Sequence, residues 1–393
     1  MGRPEHHART AILVLGMHRS GTSALARLIG HLGAALPADA IEAHSDNAKG
    51  YWESAAIVRA DDQLLRAARS SWFDPRALDL SRLEESALRS RKDRIWEAVT
   101  AAFGDASLFV MKDPRQCRFV PTVVETLAEH GVASRAALML RNPAAIARSL
   151  ASRDGTTSAL AHLLWLRHMI DAERGSRHLI RAIIDFDAML ADWRGAAERL
   201  LPMTGGAMPE GERATEIAAF LDPGLRHHHH DEEMLLEEPL AGLIAELKTG
   251  LDHLLAADDA RARAALDTVY ARYEAMQWLE GDVVHDELRH RRAAGNEEPP
   301  IAVGAPLVAA VRPPSLPAAT PPNAEAVAMI RASGLFDEGW YLATYPETRA
   351  AGIDAIEHYL TIGAARGYNP HPLFDTGFYA RQMARRLAAG GEA

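Results

Sequence analysis

Four short apolar runs, each answered by a helical pattern, limit what this chain can fold into. Ala11–Leu15, Ser107–Met111, Ala136–Leu140 and Leu179–Phe186 are continuously apolar rather than alternating, as expected of parallel strands covered on both faces. After the first run, Leu25, Leu28, Ile29 and Leu32 share one helical face; after the third, Ile146, Ala147 and Leu150 begin another. Strand, turn and helix in repetition predict right-handed crossovers and a doubly wound sheet, with ligands gathered beyond the carboxyl ends of the strands. The expected class is α/β, a parallel sheet flanked by helices.

At 393 residues the chain is long enough for two or three domains. Eight of its 21 prolines fall between Pro299 and Pro322, among Ala, Val and Ser, a composition that resists helix and central strand alike. The expected organisation is therefore an α/β domain over 1–230, a helical extension over 231–294, a Pro/Ala-rich linker over 295–323 and a C-terminal module over 324–393. In the extension, Leu235, Leu236, Leu240, Leu243, Ile244 and Leu247 mark an apolar stripe, read as a helical hairpin capping the sheet because no heptad is sustained. His227–His230, followed by Asp231, Glu232 and Glu233, read as a solvated helix start rather than a metal site. In the tail, Leu335-Phe336-Asp337-Glu338-Gly339-Trp340-Tyr341 returns 38 residues later as Leu373-Phe374-Asp375-Thr376-Gly377-Phe378-Tyr379. This is a small helical repeat module whose aromatics serve packing first and glycan or protein contact second.

A net charge of −10 speaks against a nucleic-acid binder, so any anion must be gripped locally. The single cysteine, Cys117, allows no intrachain disulfide and no cysteine-based zinc cluster; it fits a reducing compartment and reads as a buried small side chain. The longest apolar run, Ala11–Met17, is too short to span a bilayer. It leads to no cleavage site, and His6 makes Gly2 a poor myristoylation candidate, so a cytoplasmic location is expected.

The first strand ends in Gly16-Met17-His18-Arg19-Ser20-Gly21-Thr22-Ser23 and runs straight into a helix. A glycine-bounded turn converges backbone N–H groups, the helix N-terminus adds positive charge, and Thr22 and Ser23 add hydroxyls, which together favour a phosphate or sulfate. The Gly16 to Gly21 spacing matches a Walker A loop, giving a P-loop-NTPase-like expectation. Thr22, however, stands where that motif has its lysine, which disfavours an ordinary magnesium-dependent NTPase. The cation sits earlier, at Arg19. A second element is Arg141-Asn142-Pro143, where a forked guanidinium at a strand end precedes a helix carrying Ser149 about two turns along.

These two elements, in this order, resemble the 5′-phosphosulfate loop and the 3′-phosphate site of sulfotransferases that use 3′-phosphoadenosine-5′-phosphosulfate (PAPS). Gly50-Tyr51-Trp52-Glu53, Lys112-Asp113-Pro114-Arg115 and Ile184-Asp185-Phe186-Asp187 extend the resemblance from Thr10 to about Phe220, toward the bacterial enzymes of surface-polysaccharide systems. The tail resembles a repeat appended to bacterial glycosyltransferases and sulfotransferases. The resemblance implies sulfuryl transfer from PAPS to a carbohydrate-type hydroxyl, without metal, leaving adenosine 3′,5′-bisphosphate. It implies cofactor contacts from His18, Arg19, Ser20, Gly21, Thr22, Ser23, Arg141 and Ser149, and chemistry from Arg19, Lys112 and Glu53.

Sulfuryl transfer needs a base for the acceptor proton and positive charge at the transferring oxygens. Arg19 suits the departing phosphate but cannot act as its acid, and Lys112 at a strand end suits the sulfuryl oxygens. Glu53, flanked by Tyr51 and Trp52, is the expected base, its carboxyl raised by partial desolvation; Asp113 and His18 are its substitutes. Arg115 and Arg118 are candidates either for an anionic acceptor or for solvated arginines on a helix, and Phe186-Asp187 for a brace. Two other classes stay open: a phosphate-loop kinase without its lysine, and a non-catalytic adaptor that binds through the aromatic repeat.

Overall fold

The computed structural model describes residues 9–42, 50–221 and 238–276, then 324–333, 336–345, 353–364 and 368–371, with a few single positions between them. Strands β1 (Arg9–Leu15), β2 (Leu108–Lys112), β3 (Val132–Leu140) and β4 (Ile180–Asp185) form one wholly parallel sheet in the order β2-β1-β3-β4. The chain leaves β1 to one side to make β2 and crosses to the other side for β3. The order therefore reverses between β1 and β3, the position at which an open α/β sheet offers its binding crevice.

All four expected strands are present. β3 begins earlier than its apolar run because Ala133, Ser134 and Arg135 continue the ladder beside β1 where cover is incomplete. On one face Ile12, Val14, Ala137, Met139 and Ile184 pack with α1 (Thr22–His31), α8 (Trp193–Thr204) and α9 (Gly211–Phe220). The alternate residues Leu13, Leu15, Ala136 and Leu138 are equally buried. They face the layer of the 3₁₀ segment Pro114–Phe119, α4 (Val120–Glu129) and α6 (Ser158–Ser176). Two covered faces explain the unbroken apolar runs, and each buried Leu, Ile, Val or Met among them contributes about 1.5–3 kcal/mol of burial.

Before β2 lie α2 (Ala55–Ala67) and α3 (Glu85–Phe103); α5 (Pro143–Asp154) follows β3, and α7 (Phe186–Ala191) follows β4. Helix α6 is buried along most of its length and carries His162, Arg167, His168 and Glu173 inside with it. The hairpin of α10 (Leu240–Leu255) and α11 (Asp259–Ala275) turns Leu243, Ile244, Leu247 and Leu251 inward. It packs against α6 and β4, and Tyr273 donates to the Pro75 carbonyl at 3.3 Å. None of the helices among the described residues is long and apolar enough to cross a membrane.

Two compact units emerge: 1–283 with 299–302, and 284–298 with 303–393. In the second, the described part comprises helices Ala324–Ser333, Glu338–Thr344 and Ala355–His358, the last running into a π turn over Tyr359–Gly363. Tyr341 is wholly buried beside Phe336 and Tyr345, and Tyr345 stacks on Tyr368 at 4.0 Å. Asp337 caps its helix by accepting from the Trp340 N–H. These aromatics of the first repeat copy build a small core. The second copy, Leu373–Tyr379, the linker and His227–His230 lie outside the described residues.

Candidate functional site

The turn from Gly16 to Gly21 joins β1 to α1 at the sheet's reversal point. Gly21 caps α1 at φ 96°, and a Cβ there would lie 2.2 Å from the Phe186 ring; both facts demand glycine. A Cβ on Gly16 would come within 2.9 Å of Ser20 Oγ and 3.1 Å of the Met139 carbonyl. Arg19 (φ 68°) and Trp52 (φ 56°) adopt left-handed backbone without being glycine, strain of the kind that concentrates at functional sites. Cys117 secures the turn from beneath: the Gly16 N–H donates to Sγ at 3.1 Å and the thiol donates to the Gly16 carbonyl at 3.5 Å. Burial pushes this thiol up to about 12, so it is a clasp rather than a nucleophile. Thr22 is buried, and Ser20 Oγ is buried with no hydrogen-bond partner.

Pro143 opens α5 and Asn142 caps it by accepting from the Ala144 N–H at 2.9 Å, which fixes Arg141 just before the helix and Ser149 on it. Arg141 Nη1 donates to the Arg19 carbonyl at 2.7 Å, and Arg19 Nε donates to Ser149 Oγ at 2.8 Å. The Arg141 guanidinium also lies over the Phe186 ring, 4.3 Å from its centroid, giving the expected brace a definite contact. Burial lowers Arg141 to about 10; Asp187 opposes this, and the charges of Arg19 and Arg148 add to it. The positive charges of Arg19 and Arg148 beside Arg141, offset in part by Asp187, make a setting that suits an anion.

Opposite them, Lys112 ends β2 and donates to Glu53 Oε1, to Ser23 Oγ at 3.2 Å and to the Tyr51 carbonyl at 3.0 Å. Ser23 Oγ itself donates to the Tyr51 carbonyl at 3.0 Å. Glu53 does not begin a helix: Ser54 is the cap of α2, and Glu53 precedes it in an extended segment whose Ala40↔Ser54 bridge and Asp39–Ser54 bond (3.0 Å) position it. Burial raises its carboxyl, Lys112 pulls the other way, and Asp113 adds to the rise.

Arg118 is buried, paired with Asp171 at 3.0 Å and donating to the carbonyls of Ser71, Asp74 and Arg76, and Arg115 pairs with Asp62 at 2.7 Å and Asp113 at 3.0 Å. Arg118 holds the fold, which corrects the expectation that it faces an acceptor; Arg115 lies close enough to Glu53 for their charges to couple. His18 turns from the phosphate turn to Trp72, ring centroids 4.4 Å apart, with His168 6.2 Å away. Burial and nearby cations keep it well below the usual imidazole range, and its Nε2 is buried without a partner. Asp61, wholly buried beside Asp113, is held well above the carboxylate range by burial and then by that neighbour. Trp72, His168 and Asp61 had no motif to announce them; only the fold brings them here.

No family model matches the chain, and no curated protein does. Among solved structures, it is similar to the sulfotransferase domain from the Synechococcus PCC 7002 olefin synthase. Identity is 14%, the match covers 68% of this chain and 97% of that one, and the TM-score is 0.35.

Proposed function

We propose that residues 1–230 form a PAPS-dependent sulfotransferase acting on a hydroxyl of a carbohydrate or polysaccharide-type acceptor. The observation that carries this reading is the junction of Arg141, Arg19 and Ser149 on the glycine turn, together with the Lys112–Glu53 pair that Lys112 ties to Ser23 at the start of α1. A phosphate-binding turn alone would serve many enzymes. A second cationic pocket beside it suits a nucleotide phosphorylated at two separate ends.

The residues fit the cofactor: the orphaned Ser20 hydroxyl and the start of α1 suit its 5′ end, and Arg141 and Ser149 suit its 3′-phosphate. When bound, PAPS supplies an activated sulfuryl group with a phosphate as leaving group. Lys112 places its charge at the transferring oxygens, and Arg19 neutralises charge on the departing side. Glu53 accepts the acceptor's proton. As Lys112 turns toward the sulfuryl oxygens, Glu53 loses its counter-ion and becomes the stronger base. Glu53 takes the role ahead of Asp113, whose Oδ1 is held by Arg115, and of His18, which packs on Trp72. The C-terminal module adds glycan or protein contact.

Calorimetric titration with adenosine 3′,5′-bisphosphate, beside magnesium–ATP, tests this. One bisphosphate per chain without magnesium, and no ATP turnover, is expected. Absence of binding would leave the adaptor, and ATP hydrolysis the kinase.

A further inference from the structure

The opposite end of β4 holds a second collection of cations. A cavity of about 420 Å³ opens there between the sheet edge and the α10–α11 hairpin, lined by Arg177, Arg181, Arg199 and Arg263 with Glu173 and Asp259. The guanidiniums come from α6's end, β4, α8 and α11, so their meeting is a product of the fold rather than of one helix face. Glu173 is fully engaged: it accepts from Arg177 Nε at 2.7 Å, Arg181 Nη1 at 3.0 Å and the Tyr270 hydroxyl at 2.7 Å. Asp267 takes Arg177 Nη1 at 2.7 Å, while Arg177 Nη2 is buried without a hydrogen bond. Among the described residues, the exposed Arg199 bonds only the Leu255 carbonyl, at 3.1 Å, and the exposed Arg263 makes no hydrogen bond or ion pair.

Four guanidiniums stand against three carboxylates, Glu173, Asp259 and Asp267, and the exposed Arg199 and Arg263 form no ion pair among the described residues, so the cavity keeps a positive excess that suits an anion. Their forked donors match a tetrahedral dianion. The volume falls in the range of small-molecule pockets and exceeds what one inorganic phosphate fills. Leu179, Ile183 and Leu254 supply apolar wall for the remainder. We propose that this cavity is a second binding site, for a small phosphorylated organic molecule, separate from the crevice between β1 and β3.

Calorimetry with inorganic pyrophosphate on the full chain tests it, using wild type, Arg199→Ala/Arg263→Ala and Arg141→Ala. Wild type is expected to take up two equivalents. The double variant loses one and leaves the other's affinity unchanged, while Arg141→Ala weakens only the second. If the crevice binds no pyrophosphate, wild type takes one equivalent and the double variant none, so failure of the proposed function is told apart from failure of this site. An isotherm for the double variant identical to wild type overturns the proposal. Should that variant unfold, Arg263→Glu alone, at an exposed position, is expected to weaken uptake at least tenfold; unchanged affinity overturns the proposal equally.

Discussion

Arg19 and Ser149, 130 residues apart in sequence, are joined by a 2.8 Å hydrogen bond from Nε to Oγ. The strained backbone of Arg19 and the second turn of α5 thus meet over one crevice, and the Arg19 carbonyl is held in turn by Arg141. Binding, catalysis and stability can be probed separately from this arrangement.

Loss of Ser149 removes a donor from the proposed 3′-phosphate pocket while Arg19 and Arg141 remain. Hydrogen bonds to charged groups contribute about 1.5–3 kcal/mol, so Ser149→Ala should weaken adenosine 3′,5′-bisphosphate by roughly 10- to 100-fold. Calorimetry reads the change, and an affinity within twofold of wild type would remove Ser149 from the site.

Glu53→Gln keeps the shape and a hydrogen-bond acceptor for Lys112 but cannot take a proton. Sulfuryl transfer should fall by about 10²–10⁴-fold, with bisphosphate affinity nearly unchanged. In the wild type the acid limb of kcat should lie above the ordinary glutamate range, because burial raises this carboxyl. Retained transfer in the variant would move the role to Asp113 or His18.

Gly21 and Gly33 both have positive φ, 96° and 106°, yet a Cβ meets the Phe186 ring at the first and open space at the second. Gly33→Ala should cost about 1 kcal/mol of backbone strain, whereas Gly21→Ala adds a collision and should cost at least about 2 kcal/mol more. Denaturant titration compares them, and equal losses would show that the Phe186 contact does not constrain the turn.

His168 is wholly buried; its Nδ1 bonds the Leu164 carbonyl at 2.8 Å, and burial, then Arg118, lowers it to about 3. Between this value and an unfolded imidazole near about 6.5, the unfolded chain binds a proton that the folded one refuses. Stability is therefore complete above about pH 6.5 and falls with acidification, by up to about 1.4 kcal/mol per pH unit from this group. Unfolding free energies at pH 7 and pH 5 should differ less in His168→Phe than in the wild type; an unchanged difference would contradict the assignment.

The sheet was legible in the sequence because both of its faces are covered, which leaves strands as plain apolar runs. The glycine turn and Arg141-Asn142-Pro143 were legible because their geometry is local: a tight turn, a helix start, a capped α5. Arg118 differs from its expectation because guanidiniums at a strand's carboxyl edge look the same in sequence whether they meet a ligand or, as Arg118 does, three carbonyls and Asp171. The buried neighbours Trp72, His168 and Asp61 follow from packing between distant segments, and no spacing encodes that. The arginines around the second cavity are scattered from 177 to 263 for the same reason.

Arg141 offers the most direct test of the two-ended crevice. Calorimetric affinities for adenosine 3′,5′-bisphosphate and adenosine 5′-phosphate, each on wild type and Arg141→Ala, form a cycle that isolates recognition of the 3′-phosphate. Wild type should prefer the bisphosphate by at least about tenfold, roughly 1.4 kcal/mol, and the variant should lose that preference while still binding both. Equal affinity of wild type for the two nucleotides, or a preference that survives in the variant, would contradict a 3′-phosphate pocket at Arg141 and with it the proposed use of PAPS.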